Sequence, residues 1–322
     1  MKTSLQFVLV ELSRHYRIRC QDVAVATMTI VVYVEDRAIG ELARDRIRTL
    51  AGKHPCRVIV LDGTLGESEH RVEAADWVEL GVKGAAAQTI ASATDVLRLP
   101  EAPVVLLWIA RGIEGEERFE RLWHGVQTVV YNSSLVDAGC GALRELAAYV
   151  GHHPDLPLAD IAYLRLAPWQ ESLAIFFDGA ELRELFDLRG VEIACGSEPE
   201  AYYLLGWLAA RLGWKAHDRG TLLDRNGVPV AFEVRREGEP RRIRSVSLRS
   251  SRSVYQARAD DQTQTILMSV GGSSRHPQRF LPVANPGIAA LVERAILRGR
   301  GDRIFAESLA AAGEILAAAE DS

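Results

Sequence analysis

The sequence predicts an α/β protein: an N-terminal, mostly parallel sheet with helices on both faces, followed by an α+β domain with an antiparallel meander. In the first half, apolar β-branched runs alternate with helical segments of 10 to 15 residues, a pattern typical of parallel sheets. After residue 221 the hydrophobic period changes to two, as in strands with one solvated face. Two prolines in segment 152–157 predict a boundary between an α/β domain, residues 1–155, and an α+β domain, residues 156–322.

The elements of the first domain follow from its apolar runs and its turn residues. Residues 36–51 predict an amphipathic helix whose apolar stripe includes Leu42 and Leu50, with Gly52 as a left-handed cap. Asp62-Gly63 is expected to close the second strand. Strands are expected at residues 26–34, 57–61, 71–82, 104–109 and 127–131, and helices at residues 36–51, 85–97 and 142–150.

The second domain begins with helical patterns. Residues 158–178 predict one long helix with a kink at Pro168. Ser197 and Glu200 have the spacing of a capping box, and the helix that they open ends at Gly213.

Alternating apolar residues follow, and they predict strands. Asn226-Gly227 is a strong hairpin signal, and the period of two predicts a meander of about four strands between residues 221 and 283, with one face buried. Residues 285–297 and 302–319 predict two closing helices.

Composition restricts the class of protein. A chain of 322 residues with 48% hydrophobic and 25% charged residues is typical of a soluble, two-domain globular protein. A net charge of −5 argues against bulk nucleic-acid affinity. The sequence has no apolar run of about 20 residues, the length that a membrane span needs, and the first residues indicate a helix rather than a signal peptide. We therefore expect a cytoplasmic protein with no membrane partner.

Residues that carry chemistry are sparse, and the sequence predicts no catalytic, cofactor-binding or metal-binding residue. The hydrolase and metalloprotease motifs Gly-x-Ser-x-Gly and His-Glu-x-x-His are missing, and no cofactor is expected. A metal cluster of Cys140 with His124, His152 and His153 lacks ligand spacing. Redox activity of the cysteines stays open as an alternative to inert thiols, the form expected in a reducing compartment. The cysteines are Cys20, Cys56, Cys140 and Cys195.

Two glycine motifs are candidates for phosphate sites. Gly139-Cys140-Gly141 begins like a dinucleotide fingerprint, but Arg144 replaces the third glycine, so we interpret it as a turn. Segment 62–66 lies at the carboxyl end of a parallel strand, where α/β sheets bind ligands, but it lacks the Lys-Ser/Thr of a P-loop. It is kept as the basis of an alternative hypothesis.

Large aromatic residues are concentrated between residues 160 and 214, without a nucleophile, a metal cluster or a phosphate loop. The helix from Glu200 to Gly213 is apolar nearly all round, so it is either buried in a core or covered by a partner. Both interpretations stay open. A docking role would use the aromatic side chains of this region, because such side chains are enriched at the energetic centres of interfaces. Its candidates are Trp169, Tyr202, Tyr203 and Trp207.

Residues 235–258 are strongly basic. Eight arginines and two glutamates give this segment a net charge of +6. Because the whole chain has a net charge of −5, the rest of the chain has a net charge of −11. Such asymmetry can steer a partner of opposite charge, whereas the alternative is a solvated sheet face that resists edge pairing. We choose Arg241, Arg242 and Arg244 as candidate docking residues, with a protein partner favoured over nucleic acid because no base-stacking aromatics accompany them.

Several motifs in one order resemble a known family. They are Met-Thr-Ile-Val-Val-Tyr at 28–33, His-Pro-Cys-Arg-Val-Ile-Val at 54–60, Pro-Val-Val-Leu-Leu-Trp at 103–108, Asp-x-x-aromatic-x-Arg-Leu-x-x-Trp at 160–169 and Gly-Trp-Leu-Ala-x-Arg-Leu-Gly-Trp at 206–214. In this order they resemble OpcA, the glucose-6-phosphate dehydrogenase assembly protein family, over about residues 26–235.

The resemblance implies a non-catalytic assembly factor and allosteric activator. Such a protein binds glucose-6-phosphate dehydrogenase and promotes its active oligomer in the oxidative pentose phosphate pathway. The alternative is a sugar-phosphate-binding enzyme or sensor of the α/β class that uses segment 62–66. Nucleic-acid binding through the arginines is the third hypothesis, and the acidic total charge disfavours it.

Overall fold

The computed structural model describes residues 26–74, 76–113, 115–135, 140–178, 182–237, 243–271, 279–282, 286–298 and 302–320. The chain forms two compact units. The first contains residues 1–132, 155–161 and 287–301, and the second contains residues 133–154, 162–286 and 302–322. The chain thus passes between the units several times, whereas the sequence predicts one boundary near residue 155.

Fifteen strands lie in the described part of the chain. They are β1 Met28–Val34, β2 Cys56–Gly66, β3 His70–Ala74, β4 Trp77–Lys83, β5 Val104–Ile109, β6 Thr128–Tyr131, β7 Leu158–Asp160, β8 Leu188–Cys195, β9 Lys215–Asp218, β10 Thr221–Leu223, β11 Pro229–Arg236, β12 Ile243–Ser250, β13 Val254–Asp260, β14 Thr265–Gly271 and β15 Arg279–Pro282.

Ten α-helices accompany them in the same described ranges. They are α1 Arg37–Ala51, α2 Ala87–Leu97, α3 Glu117–Trp123, α4 Cys140–His152, α5 Ile161–Leu164, α6 Ala167–Ile175, α7 Leu182–Leu185, α8 Glu198–Leu212, α9 Ile288–Arg298 and α10 Arg303–Glu320. None of these helices combines the length and the apolar character that crossing a bilayer requires.

The first unit is built on a seven-stranded sheet in the order β3-β4-β2-β1-β5-β6-β7. Every described pair is parallel except β3 with β4. The central strands β1 and β5 are buried along almost their whole length, and so is the first part of β2 through Asp62, which explains why these strands contain apolar runs without alternation. The predicted mostly parallel sheet is confirmed.

Several details of the first unit differ from the prediction. The segment 71–82 forms two strands, β3 and β4, and β2 continues past Asp62-Gly63 to Gly66. Gly52 is right-handed, with φ −68°, because the last turn of α1 closes on the carbonyls of Arg48 and Leu50 without a left-handed residue. Leu42 is 49% exposed and lies outside the buried face of α1. These predictions were wrong.

The second unit contains an eight-stranded sheet in the order β15-β14-β13-β12-β8-β11-β10-β9. Among its described strand pairs, only β8 and β11 are parallel. The predicted antiparallel arrangement of the meander is confirmed, but the sheet has more strands than predicted. Sequence reasoning missed β8, the strand between β12 and β11, because its residues lack a clean alternation: Ile193, Ala194 and Cys195 are all buried.

One face of this sheet is covered by helices of its own unit. Helix α8 contacts β8 and β11, and helix α6 contacts β13, β14 and β15. The rings of Phe176 and Phe177 pack on Tyr255, with centroids 5.4 and 4.7 Å away. Val246, Leu248, Tyr255 and Ala257 on this face are fully buried. The expectation that one face of the meander is buried is confirmed.

Two helix predictions in the second domain were wrong. Residues 158–178 do not form one kinked helix but a strand and two helices, β7, α5 and α6, with Pro168 in the first turn of α6. Proline at that position costs no helical hydrogen bond, so it begins a helix rather than bending one. Ser197 does cap α8 by position, but its side chain makes no capping hydrogen bond, so the capping box is not formed.

Helices α8 and α10 approach each other closely at Gly206. A Cβ atom added to Gly206 would lie 2.8 Å from the backbone nitrogen of Ala312 and 3.0 Å from its Cβ. Tyr203 and Phe305 extend this contact, with ring centroids 6.0 Å apart. The glycine therefore sets the distance between the two helices.

We expect Gly206→Ala to lower the free energy of unfolding by about 1–3 kcal/mol, because the methyl group must push α10 away from α8. Urea unfolding measures the change. Gly141→Ala, in α4, is the matched control: its added Cβ would meet no atom within 4 Å, so its stability should be unchanged or slightly higher. Equal stabilities for the two variants would contradict the close approach.

Candidate functional site

The carboxyl edge of the parallel sheet has a topological switch point between β1 and β5, which are neighbours in the sheet. Open α/β sheets bind ligands at such a point, and the turn after the first strand carries the glycines of a dinucleotide fingerprint. In this chain that turn joins Val34 to Arg37 and reads Glu35-Asp36. The fingerprint spacing Gly-x-Gly-x-x-Gly falls on Glu35, Arg37 and Gly40.

Only the third position of this fingerprint is glycine. A Cβ on Gly40 would lie 2.6 Å from Val34 Cγ1, so this glycine allows α1 to pack closely on β1. The first two positions, where glycine lets a pyrophosphate approach the backbone, carry the long side chains of Glu35 and Arg37. Asp36 caps the helix by accepting the amide hydrogen of Ile39 at 3.0 Å. Two carboxylates thus stand where a dinucleotide would place its pyrophosphate.

Aromatic side chains pack beside this turn. The rings of Tyr33 and Trp108 are stacked, with centroids 4.2 Å apart and an interplanar angle of 9°, and Phe119 meets Trp108 edge to face. The Tyr33 hydroxyl donates to Glu35 Oε1 at 3.0 Å and accepts from Arg118 Nη1 at 3.0 Å. Burial and the Glu35 carboxylate raise the pKa of Tyr33 to about 12. The polar side chains at this switch point therefore form hydrogen bonds with one another.

Segment 62–66, the alternative phosphate site, is held by an ion network. The Asp62 carboxylate accepts hydrogen bonds from Arg44, from the Thr64 amide at 2.8 Å and from the Thr64 hydroxyl at 2.6 Å. Arg44 also binds Glu79 at 3.2 Å, and Glu79 accepts from the indole of Trp77 at 3.0 Å. Burial tends to raise the pKa of Asp62, but the Thr64 bonds and Arg44 hold it below its usual value.

The four aromatic candidates are not brought together on one surface. Tyr203 is fully buried and Trp169 is 6% exposed, so both belong to the core of the second unit. Tyr202 and Trp207 are half-buried. They are five residues apart on α8, which places them about 140° apart around the helix. Of the four, only Tyr202 and Trp207 expose surface to a partner, and they do so on different sides.

Helix α8 also carries a buried acid that sequence reasoning did not single out as a site. Glu200 is 2% exposed and accepts hydrogen bonds from Arg165 Nη1 at 3.0 Å and from Ser134 Oγ at 3.3 Å. Its carboxylate thus faces Arg165 rather than the backbone of Ser197, which explains the missing capping box. The sequence signal that could have indicated this buried ion pair is a charged residue at the start of an otherwise apolar helix.

The cysteines of the described chain are buried or half-buried. The Cys140 thiol donates to Glu198 Oε2 at 3.4 Å. Burial raises the pKa of Cys56 and Cys195 to about 11 each, and it raises the pKa of Cys140 as well. These thiols are therefore protonated at neutral pH. Cys20 lies outside the described residues, and among those described no three His, Cys, Asp or Glu side chains group as metal ligands.

The face of the eight-stranded sheet opposite α6 and α8 is here called the open face. Paired residues project to the same side, so strand register identifies its members. They are alternate residues from Ala231 to Arg235 in β11, Gly190 to Ala194 in β8, Ser245 to Arg249 in β12, Val254 to Asp260 in β13 and Thr265 to Ser269 in β14. Gln256 and Arg258 on this face are exposed.

The basic segment contributes arginines to this face, and Arg235, Arg244 and Arg249 of the segment have acidic partners. Arg235 binds Glu192 at 2.9 Å, and Arg249 binds the other oxygen of the same carboxylate. Arg244, a predicted docking residue, is half-buried and paired with Asp261. Arg241 and Arg242 lie outside the described residues. Acids outside the segment, Glu192 of β8 and Asp261 after β13, thus offset part of its local excess of +6.

Replacing Asp62 tests the ion network of segment 62–66. We expect Asp62→Asn to lose about 2 kcal/mol of stability at neutral pH, because the largely buried Arg44 loses one of its two carboxylate partners and keeps only Glu79. The folded pKa of Asp62 is lowered, so its contribution is present above the unfolded pKa of about 3.9 and is lost as pH falls through the folded value. The difference between wild type and variant should therefore narrow in acid.

Urea unfolding from about pH 7 to pH 3 measures this difference. Asp45→Asn is the control, since the Asp45 side chain is 76% exposed and the variant should match wild type throughout. A wild-type advantage over Asp62→Asn that stays constant down to pH 3 would contradict the proposed ionic origin.

Comparison with solved structures concerns the fold. An NAD binding oxidoreductase from Klebsiella pneumoniae has a TM-score of 0.54 at 8% identity, with 92% of this chain and 96% of that chain covered. An oxidoreductase domain protein from Kribbella flavida has a TM-score of 0.54 at 11% identity, with 92% of this chain and 97% of that chain covered. The aldose-aldose oxidoreductase from Caulobacter crescentus has a TM-score of 0.52 at 14% identity, with 92% of this chain and 98% of that chain covered.

Curated relatives are named OpcA. Those of Synechocystis sp. and Nostoc punctiforme are each 29% identical over 187 residues, which is 52% of this chain. The chain covers 39% and 40% of these two proteins, or about two fifths of their length. The OpcA of Synechococcus elongatus is 22% identical over 303 residues, covering 81% of this chain and 68% of that protein.

Two family models match the chain in sequence order, and both describe parts of a glucose-6-phosphate dehydrogenase subunit. Residues 47–148 match the N-terminal domain of that family, and residues 156–309 match its C-terminal domain. Together they cover well over half of the chain. The resemblance seen in the sequence motifs is confirmed, and the chain belongs to the OpcA family.

Proposed function

We propose that this protein is a non-catalytic assembly factor and allosteric activator of glucose-6-phosphate dehydrogenase. It binds the dehydrogenase in the cytoplasm and favours its active oligomer in the oxidative pentose phosphate pathway. Membership of a family whose two domains are named after this dehydrogenase supports the choice of partner. The names of the relatives, which refer to the OxPP cycle, support the choice of pathway.

The residues of the first βα turn support the proposal that the protein is not a catalyst. The chain has the fold of NAD-binding oxidoreductases but carries Glu35 and Arg37 at two of the three glycine positions of the fingerprint. A pyrophosphate there would face the carboxylates of Glu35 and Asp36 across the N-terminus of α1. The charge of these carboxylates disfavours a pyrophosphate, against the opposite effect of Arg37 in the same turn, and Asp36 already accepts the Ile39 amide hydrogen that would otherwise favour an anion.

An activator of this kind works by differential affinity. It must bind the active arrangement of the dehydrogenase more tightly than the inactive one, because equal affinity shifts no equilibrium. Moving a population from mostly inactive to mostly active requires about 5.5 kcal/mol of such a difference. That amount is within reach of one ordinary protein interface, so no covalent chemistry is needed.

Residues with exposed surface are the candidates for docking. Tyr202 and Trp207 keep part of their rings exposed on α8, and half-buried aromatics with fixed rotamers are typical anchors of interfaces. We keep Arg241, Arg242 and Arg244 as proposed docking residues, which would contribute positive charge to the interface with the dehydrogenase. The other two candidates, Trp169 and Tyr203, are buried, and Tyr203 lies in the same helix as Tyr202 and Trp207.

Mixing the purified chain with glucose-6-phosphate dehydrogenase tests the proposal. We expect the dehydrogenase velocity to rise and its mass in solution to increase on addition of wild-type chain. Trp207→Ala and Arg242→Glu should each weaken capture of the dehydrogenase at least tenfold, since truncation of an interface anchor typically costs about 2 kcal/mol. Pull-down and light scattering measure both effects.

Leu42→Ala and Arg37→Glu are the matched controls, since both side chains are exposed on α1 in the other unit. They should bind like wild type. Unchanged binding by both Trp207→Ala and Arg242→Glu would remove these residues from the interface. Unchanged velocity and mass with wild-type chain would refute the assembly function itself.

Thermal unfolding with small molecules separates an assembly factor from a ligand-binding enzyme or sensor. We expect NAD, NADP, glucose 6-phosphate and 6-phosphogluconate to leave the melting temperature unchanged, because acidic side chains occupy the switch point and Asp62 is already paired. A ligand at 100 times its Kd would add about 2.7 kcal/mol of stability. A dose-dependent rise with a sugar phosphate, in the absence of dehydrogenase, would support the alternative function.

A further inference from the structure

Two large apolar side chains at helix α7 face solvent. Leu182, the first residue of α7, is 52% exposed, and Phe186, which follows the helix, is 56% exposed. The Asp187 amide donates to the Glu184 carbonyl at 3.0 Å, so the helical turn continues through Phe186. Residues four positions apart lie on one side of such a turn, so these two side chains form an apolar pair. Apolar residues exposed side by side, with polar residues around them, are a feature of interaction sites.

The opposite side of this turn is anchored to the hairpin between β12 and β13. At about 100° per residue, Glu184 lies about 180° around the turn from the midpoint of the apolar pair. Its Oε2 accepts hydrogen bonds from the Ser250 hydroxyl at 2.8 Å and from the Tyr255 hydroxyl at 2.9 Å. Asp187 Oδ2 accepts from the Ser251 amide at 3.3 Å and from the Ser251 hydroxyl. The anchor therefore holds the turn with its apolar pair outward.

Both anchoring carboxylates are ionised at neutral pH. Burial tends to raise the pKa of Glu184, but hydrogen bonds from Ser250 and Tyr255 hold it below its usual value. The hydrogen bond from the Ser251 hydroxyl lowers the pKa of Asp187. Hydrogen bonds to an ionised acceptor are about twice as strong as neutral ones, so the turn keeps a fixed orientation. A turn that is already fixed loses little conformational entropy when a partner binds.

The charge available beside the apolar pair is positive. Arg183, in the turn, and Arg252, at the tip of the hairpin, are both exposed, and neither forms an ion pair with a residue in the described part of the chain. Arg252 lies near enough to the two anchoring acids to lower their pKa. The other two arginines of the turn and the hairpin, Arg189 and Arg249, are paired with acids. A partner thus meets two guanidinium groups, which bind carboxylates well.

These features select one kind of partner. Aromatic residues and arginine are enriched in interfaces, and this combination is complemented by apolar side chains with carboxylates beside them. A two-fold dimer would bring the arginines near their own copies, so the charge disfavours a second copy of the chain. A nucleic acid would use the arginines but would leave the apolar pair exposed, and the net charge of −5 opposes it. An acidic protein segment satisfies both requirements.

We propose that the surface formed by Leu182, Arg183, Phe186 and Arg252, here called the α7 patch, binds a segment of glucose-6-phosphate dehydrogenase that carries carboxylates next to apolar side chains. The identity of this partner rests on the proposed function, whereas the chemistry of the segment follows from the patch. The apolar pair packs on the apolar side chains of the segment, and the two arginines pair with its carboxylates. The α7 patch adds to the docking residues proposed on α8.

Capture of the dehydrogenase by variants of the full chain tests the α7 patch. Phe186→Ala and Arg183→Glu should each weaken capture about tenfold or more, since the first removes an apolar anchor and the second sets a carboxylate against those of the segment. Phe280→Ala is the matched control, because Phe280 is 61% exposed in the same unit, and it should bind like wild type. Circular dichroism and melting temperature, which changes to exposed side chains should leave unaltered, check that the variants fold.

The outcomes separate the α7 patch from the proposed function. Losses in Phe186→Ala and Arg183→Glu, with full capture by Phe280→Ala, support both. Capture by wild type that both patch variants match overturns the α7 patch and leaves the proposed function standing. Wild-type chain that captures no dehydrogenase overturns both. Equal losses in Phe186→Ala and Phe280→Ala overturn the patch as a specific site, and a wild-type dimer in light scattering that Phe186→Ala abolishes would assign the patch to a second copy instead.

Discussion

Alternation of side chains across the eight-stranded sheet is the constraint on which the second unit depends. Paired strands hold their registers along β11, β8, β12, β13 and β14, so every second residue points toward α6 and α8 and the residue between points away. The covered side forms a core of Val, Ile, Leu and Tyr, and the other side carries mainly Ser, Gln and charged residues. A slip by one residue would exchange the two sides. Packing of the core and the availability of a surface for a partner therefore have one common cause.

In the parallel sheet of the first unit, the residues that pack the first helix differ from those at the ligand positions of a dinucleotide fingerprint. Gly40 satisfies the packing requirement of the first βα unit, since a Cβ there would strike Val34. The two positions that serve the ligand carry Glu35 and Arg37. Helix packing and phosphate binding place independent demands on this turn, so one can be kept without the other.

Much of the fold follows from sequence because its signals are local. Buried parallel strands such as Val104–Ile109 are continuous apolar runs, and Asn226-Gly227 fixes a hairpin through the positive φ of Gly227. The failures have physical reasons as well. Pro168 is compatible with either a kink or a helix start, and only the surrounding packing selects the second. Glu200 could cap its own helix, but Arg165, 35 residues away, competes for the carboxylate.

The sequence by itself determined the α/β class, the family, the apolar nature of α8 and the period of the meander, since each depends on residue types and short spacings. Tertiary structure decided which of those residues a partner can reach. Tyr203 and Trp169 are as aromatic as Tyr202 and Trp207, yet they lie in the core, and Arg235 of β11 and Arg249 of β12 meet Glu192 from β8. Exposure and charge pairing depend on contacts between segments far apart in the chain, and no local pattern encodes them.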